Sequence, residues 1–395
     1  MMVIDCIIMA GGAGTRLWPA SNSYRPKQFL SAPGNRTFFE AALDRALALS
    51  GGEGRVIVIT GEGQVNHVIG ACAGLGEKDR KRLVVIPEPL AKNTAPAVIS
   101  GALYAALSSG EDRTILVLTS DHIIRPLPVF TADARAAAAG AGEDHLAVFG
   151  IAPAGPATGY GYIETAELLP SKPEGLYEKG SGLSGRGEPE PPRIYRVSSF
   201  HEKPDLKTAE AFLAAGNFYW NSGMFAFSSR FIIEEFRRNA PELLQPFERL
   251  RPPGPGAMVF RGGIPVLEEW PGLKEAYGAV KSISFDYAEA EKCERTVMVA
   301  ADFQWLDVGS WDEYAKLAAA GEAAGGAEVY EAGSAGCFVD ADIPVALCGV
   351  KDLIVVVRSG KDGGPPSVLI SRKGETQGVR EIVEKIRAAG RTELL

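Results

Sequence analysis

Between Val3 and Ile151 the chain alternates short, unbroken apolar runs with segments of helical spacing. The runs are Val3–Met9, Arg55–Thr60, Leu83–Pro87, Thr114–Thr119 and Leu146–Ile151; between them lie Thr37–Leu49, Gln64–Ala73, Ala95–Leu107 and Val129–Ala139. A strand that is apolar at every position, rather than at every second one, is covered on both faces. Such strands separated by helices make βαβ units, whose crossovers lay helices over the sheet. The pattern predicts an α/β fold built on a doubly wound, mostly parallel, Rossmann-like sheet. Ligands of such sheets bind in the loops at the carboxyl ends of the strands.

The alternation stops at residues 171–192, which are rich in Gly, Pro, Ser, Glu and Lys and are expected to form a flexible excursion without a catalytic part. A strand over Arg193–Phe200, a helix over Leu206–Ala215 and a strand over Gly223–Phe227 follow. Ala319–Gly326 reads as a linker. Beyond it, β-rich runs at Phe338–Val339, Val345–Leu347, Leu353–Val357 and Ser367–Ile370 precede an amphipathic helix, Gly378–Ala389. The expected division is a main domain over 1–325 and a small β-rich domain over 326–395, available for subunit contact.

Composition narrows the partners. A net charge of -8 over 395 residues gives no reason to expect nucleic acid, although a local group of Lys and Arg can still bind an anionic substrate. No run approaches the roughly 20 apolar residues of a membrane helix. Met1–Ala10 carries Asp5 and no basic leader, so it reads as a first strand rather than a signal peptide. The cysteines Cys6, Cys72, Cys293, Cys337 and Cys348 are widely spaced, without a C-x-x-C pair. They are expected as free thiols of a cytoplasmic protein.

The first strand runs into Ala10-Gly11-Gly12-Ala13-Gly14-Thr15-Arg16-Leu17-Trp18-Pro19, followed by Arg25-Pro26-Lys27-Gln28-Phe29. Glycines let backbone N–H groups approach a phosphate closely, and Arg16 and Lys27 add positive charge. The same residues also fit a tight turn with two solvated cations. The dinucleotide pattern G-x-G-x-x-G fails because Leu17 stands at its third glycine, and Gly14-Thr15-Arg16 does not supply the G-K-[ST] of a Walker loop.

The pattern A-G-G-x-G-T-R-L…P-K resembles the sugar-nucleotide pyrophosphorylase family, and the Leu-Trp-Pro and Pro-Lys-Gln-Phe wording resembles its mannose-1-phosphate guanylyltransferase branch. The resemblance extends in order through Pro87-Glu88-Pro89, Lys92-Asn93-Thr94-Ala95-Pro96-Ala97, Ser120-Asp121-His122, Thr158-Gly159-Tyr160-Gly161-Tyr162-Ile163, Phe200-His201-Glu202-Lys203-Pro204, Trp220-Asn221-Ser222-Gly223 and Asp307-Val308-Gly309-Ser310-Trp311. It implies that a sugar 1-phosphate oxygen attacks the α-phosphorus of a nucleoside triphosphate and pyrophosphate leaves. The nucleophile is already an anion and needs no general base, which suits a chain with 4 His and no Ser-His-Asp or Cys-His arrangement. Catalysis of that kind is mostly positioning and electrostatics.

By the same resemblance, Gly11, Gly12, Gly14 and Thr15 cradle the nucleotide, and Arg16 and Lys27 hold the departing pyrophosphate. Asp121 and Asp307 share a Mg²⁺ ion, whose preference for hard oxygen ligands two carboxylates satisfy. Glu202 accepts from sugar hydroxyls, Lys203 contacts phosphate, and Gly159 and Asn221 complete the sugar pocket. Arg16, Lys27, Asp121 and Lys203 are the catalytic set. The bare residues leave other roles open. Asp121 fits a turn, Glu202-Lys203 a solvated pair and Asn93 a helix N-cap as well as a nucleotide contact. His122 and His201 fit packing, and the aromatics Phe218, Tyr219, Trp220 and Phe225 fit a core as well as a stacking platform. The implied reactants are GTP and mannose 1-phosphate, in a homodimer with no membrane or nucleic-acid partner. Glucose 1-phosphate with UTP or dTTP, or a non-catalytic protein of this fold, is the alternative. Residues 327–395 are too few for the cupin-like isomerase domain of long bacterial members.

Overall fold

The structure, a computed structural model, describes residues 2–12, 14–31, 36–142, 144–170, 191–254, 256–319, 327–361 and 364–395. Most of the expected excursion (171–190) and of the expected linker (320–326) lies outside the described residues. The strands are β1 Ile4–Met9, β2 Val56–Gly61, β3 Leu83–Glu88, β4 Thr114–Thr119, β5 His122–Arg125, β6 Leu146–Ile151, β7 Gly161–Leu168, β8 Ile194–Glu202, β9 Phe218–Ser228, β10 Met258–Arg261, β11 Ile264–Leu267, β12 Thr296–Ala300, β13 Gln304–Asp307, β14 Val329–Ala332, β15 Phe338–Ala341, β16 Val345–Cys348, β17 Leu353–Arg358 and β18 Ser367–Arg372. The chain forms two compact units. One comprises Met1–Met9, Leu43–Thr119 and Ile124–Trp305, the other Ala10–Ala42, Ser120–Ile123 and Leu306–Leu395. The second unit thus joins the glycine loop to the carboxyl-terminal strands.

The first unit is built on one sheet in the order β10-β11-β3-β2-β1-β4-β9-β6-β12-β8-β7. From β11 to β4 the neighbours run parallel, as the βαβ alternation requires. Beyond β4 the sheet is mixed. β9 enters antiparallel between β4 and β6, β12 runs parallel to β6, and β8 and β7 follow antiparallel. The apolar runs are buried as continuous strands should be: Ile7, Ile57, Ile59, Ile115, Val117 and Val148 are almost wholly covered. Burying each such side chain stabilises the fold by about 1.5–3 kcal/mol. Helix Thr94–Ser109 lies close on this sheet because Gly101 has no side chain; a Cβ there would stand 2.6 Å from Ile7 Cδ1. Asp5, fully buried in β1, receives two hydrogen bonds of 2.9 Å from the Arg113 guanidinium and one of 2.8 Å from Arg55 N–H. The one charge in this apolar strand is therefore paired.

The second unit carries the parallel pairs β14–β16 and β15–β17, with β18 antiparallel to β17. Its core joins Leu17, Trp18 and Leu30 to Val308, Trp311, Ile354, Val356, Leu369, Val379 and Val383. Trp311 Nε1 donates to Trp18 O at 2.9 Å, and Trp18 Nε1 donates to Leu394 O at 2.7 Å. The Leu-Trp-Pro wording is thus explained by packing: these side chains fasten the loop to the chain's last helix and strands.

Candidate active site

The glycine loop is shaped by close approach. Gly12 and Gly14 have φ of 87° and 61°, in the left-handed region that favours glycine. A Cβ on Gly14 would collide with Lys27 Cβ, so the bare glycine lets Lys27 come in beneath the loop. Gln28 fixes the loop from the same side, its Nε2 donating to Ala10 O at 2.8 Å and to Gly12 O at 3.4 Å. Ser21 Oγ donates to Gly14 O at 2.6 Å. Gly11, Gly12 and Arg16 stay exposed, while Gly14 and Thr15 are half-buried.

Lys27 brings the acids together. Its Nζ donates to Asp121 Oδ2 at 2.8 Å and to Asp307 Oδ1 at 3.0 Å. Its side chain is 7% exposed, against 37% for Asp121 and 23% for Asp307. Burial alone would lower the Lys27 pKa, but the two carboxylates outweigh it and raise it above the ordinary value. For Asp121, burial would raise the pKa; the charges of Lys27 and His122 reverse this and hold the carboxyl well below the usual carboxylate range. Both partners are therefore ionised at neutral pH. His122 Nε2 lies 3.7 Å from Asp121 Oδ1 and 3.9 Å from Asp307 Oδ1, too far for a hydrogen bond. Arg16 reaches the same place: a Cβ on Gly309 would stand 3.8 Å from both Arg16 Nη1 and Asp307 Oδ2.

These residues fit a divalent metal. One ligand-type atom from each of Asp121, His122 and Asp307 can lie within 4.8 Å of the others, in a half-buried setting. Two anionic carboxylates are hard oxygen donors of the kind that divalent cations such as Mg²⁺ prefer. Lys27 is the cation that now spans them.

A second group stands in the first unit. At the end of β8, Lys203 adopts a φ of 48° and its N–H donates to Tyr160 O at 3.2 Å, next to exposed Gly159. This left-handed turn breaks the strand alternation and lets the Lys203 ammonium pair with Glu202. Asn221, buried in β9, has its amide oriented by Gly223 N–H, which donates to Oδ1 at 3.0 Å. Asn221 Nδ2 then donates to Asp286 Oδ1 at 2.8 Å. A Cβ on Gly161 would stand 2.5 Å from Glu202 Oε2 and 3.4 Å from Asn221 Cβ, so Glu202 and Asn221 converge over a bare glycine.

Asn93 caps helix Thr94–Ser109, accepting Thr94 N–H at 2.9 Å, and at a φ of 68° stays exposed. Thr94 Oγ1 accepts Phe285 N–H at 2.7 Å, and Lys92 O accepts Ile283 N–H at 3.2 Å. The Lys-Asn-Thr-Ala-Pro wording thus anchors the segment leading to Asp286. Sequence reasoning missed Asp286, which belongs to no periodic run or recognisable spacing. The aromatics divide. Phe218 stacks on Phe212 with centroids 4.1 Å apart and Phe225 packs on Phe285 at 4.6 Å, both core contacts. Trp220, Tyr160 and Trp305 form a row with centroids 5.2 and 5.3 Å apart. His201 packs on Phe212 at 4.9 Å and meets Ser199 Oγ at 2.8 Å, a packing role.

The pattern of the Nucleotidyl transferase family matches residues 5–323, and that of the MannoseP isomerase/GMP-like beta-helix domain matches 328–386. The mannose-1-phosphate guanylyltransferase of Escherichia coli (strain K12) is 35% identical over 392 residues, covering 98% of this chain and 74% of that protein. The xanthan biosynthesis protein XanB of Xanthomonas campestris pv. campestris (strain B100) is 33% identical over 390 residues, with the same coverage of 98% and 74%. A crystal structure from Thermus thermophilus, named mannose-1-phosphate geranyltransferase, superposes with a TM-score of 0.75 at 28% identity, covering 98% of this chain and all of that one. No helix among the described residues is long and apolar enough to cross a membrane. The chain belongs to the nucleotidyl transferase family, and its carboxyl-terminal strands to the MannoseP isomerase/GMP-like beta-helix domain.

Proposed function

We propose that the chain transfers a guanylyl group from GTP to mannose 1-phosphate, releasing pyrophosphate and forming GDP-mannose. The observation that carries the chemistry is the meeting of Asp121, Asp307, Lys27 and Arg16 beside an exposed glycine loop. The choice of sugar and base rests on the guanylyltransferase relative that matches nearly the whole chain.

In this reading Gly11, Gly12, Gly14 and Thr15 lay backbone against the triphosphate, with Asn93 at the exposed start of its helix as a further nucleotide contact. Arg16 and Lys27 meet the β- and γ-phosphates, where charge builds as pyrophosphate leaves. A polyphosphate at this loop competes with the carboxylates for the Lys27 ammonium. Asp121 and Asp307 would hold Mg²⁺, which when bound neutralises phosphate charge. Lys203 takes the sugar phosphate, while Glu202, Asn221 and the open backbone at Gly159 receive the sugar. No residue needs to act as a base, because the attacking phosphate oxygen is already anionic. The enzyme works as a homodimer in the cytoplasm, in keeping with five free cysteines.

A pyrophosphate-release assay across the four nucleoside triphosphates and several sugar 1-phosphates tests the reading. The expected optimum is GTP with mannose 1-phosphate, dependent on Mg²⁺. A higher kcat/KM for glucose 1-phosphate with UTP or dTTP would move the chain to another branch of the family, and no turnover with any pair would end the reading.

A further inference from the structure

The Glu202–Lys203–Asn221 group contains a second carboxylate. Asp286 opens a five-residue π-helical turn, Asp286–Ala290, a wide turn that recurs at functional sites. Two anchors fix where the turn begins: the Thr94 hydroxyl holds the Phe285 N–H, and the Phe285 ring lies on Phe225 and Phe227. Asp286 is half-buried rather than sealed, and Asn221 Nδ2 fixes its Oδ1. Burial and the charge of nearby Glu202 raise its pKa; the hydrogen bonds it accepts, that from Asn221 among them, and the charge of Lys203 only partly offset them.

Two carboxylates here share one ammonium, that of Lys203, which pairs with Glu202. The group is rich in acceptors and short of donors. A phosphate would be drawn to Lys203 and repelled by the acids, whereas hydroxyl groups would satisfy carboxylate oxygens without adding charge. A sugar 1-phosphate offers both, one anion and a ring of hydroxyl donors. Resting on the function proposed above, we propose that Asp286 accepts a hydrogen bond from a sugar hydroxyl alongside Glu202, so that two carboxylates read the ring. Asn221 is the positioning residue between them: Gly223 sets its amide, and the amide sets Asp286.

The test compares wild type with Asp286→Ala and Asp286→Asn, using whichever sugar 1-phosphate the wild type turns over best, and a set of its monodeoxy analogues. Asp286→Ala should raise KM for the sugar phosphate about ten- to hundredfold, the effect of losing a hydrogen bond to a charged group. KM for the nucleotide should stay within about twofold. One deoxy analogue that wild type discriminates against should no longer be discriminated by the variant. An unchanged sugar KM in a folded variant would overturn the proposal, as would a discrimination pattern identical to wild type. A loss falling equally on both substrates would make Asp286 structural. Should Asp286→Ala fail to fold, Asp286→Asn carries the test, since its amide oxygen keeps the Asn221 contact. A wild-type preference for another sugar would correct the proposed substrate and leave this comparison intact with that sugar.

Discussion

Two carboxylate clusters of this molecule look alike as residue types and differ in what surrounds them. Asp121, His122 and Asp307 gather in the second unit, and Glu235, Glu289 and Cys293 in the first; in each, ligand-type atoms lie within 4.8 Å of one another. The first is half-open, and its acids share the ammonium of one lysine. The second is sealed, with Glu235 1% and Glu289 0% exposed. Glu235 Oε1 accepts from Arg238 at 2.6 Å and from Arg295 at 2.7 Å, and Arg295 lies over the Phe231 ring at 4.7 Å. Planar guanidiniums held this way stay where they are, and they repel any further cation. A lysine on a flexible stem can surrender its carboxylates to a better-placed ion. The sealed cluster therefore holds helix Ser229–Asn239 in place, and the open one is available for chemistry.

The comparison breaks most severely if the open cluster loses its support. Removing residues 327–395 uncovers Leu17 and Trp18, which pack on Ile354, Val356, Leu369, Val379 and Val383. Pyrophosphate release should fall below detection, and the near-ultraviolet circular dichroism should weaken as Trp18 and Trp311 lose their packing. A truncated protein with wild-type turnover would make the tail an appendage, serving subunit contact alone. Within the sealed cluster, Glu235→Ala removes the carboxylate that Arg238 and Arg295 share and should cost about 1.5–3 kcal/mol of stability, read by urea unfolding. Turnover by the folded fraction should persist. A catalytic defect without a stability loss would reverse the roles of the two clusters.

Within the open cluster, Asp121→Asn and Asp307→Asn should each lower kcat on the order of a hundred- to a thousandfold. Asp121→Asn should also lower the melting temperature, because the fold holds that carboxyl below its ordinary range through buried Lys27. On the proposed reading, in which both acids would hold one ion, the double variant should be little worse than the poorer single one. Fully additive losses, or an Asp307→Asn enzyme with a wild-type Mg²⁺ response, would separate the two residues.

Much of the first unit is legible in the sequence because its strands are covered on both faces. Thr114–Thr119, Leu146–Ile151 and helix Leu206–Ala215 begin and end where the apolar pattern does. β9 reads short, as Gly223–Phe227, because Asn221 and Ser222 interrupt its apolar run; Asn221 nevertheless pairs with Gly150 of β6, and the register of the two strands shifts between there and Phe225. Asp307 has no local signal and is found through its resemblance alone. What no pattern can convey is long-range: Lys27 lies 94 and 280 residues from the acids it joins, and Trp18 376 residues from the carbonyl it donates to. Asp286 escapes for the same reason, as its partner Asn221 is 65 residues away.

The smallest effect separates the clusters by pH. Burial pushes the Glu289 pKa up to about 7; Asn239, donating to Oε1 at 2.7 Å, opposes the rise and the charge of Glu235 adds to it. In the unfolded chain the same carboxyl ionises near its ordinary value of 4.5. Between those two values the folded state holds a proton that the unfolded state has released, so stability falls as pH rises. The loss is complete above about 7 and absent below the unfolded value. Glu88 contributes in the same direction, since burial also raises its pKa to about 7 against a weaker opposing hydrogen bond from Tyr277. Glu289→Gln keeps the shape, stays neutral at every pH and removes its own contribution. Unfolding free energies at pH 5 and pH 8 should therefore differ less in the variant than in wild type, on the order of 2 kcal/mol less. An unchanged difference would mean that Glu289 is ionised in the fold, with Arg238 and Arg295 serving both glutamates. Within the open cluster, Lys27 and Asp121 should contribute no slope in this window: Lys27 holds Asp121 ionised far below it, and the raised Lys27 pKa lies far above it.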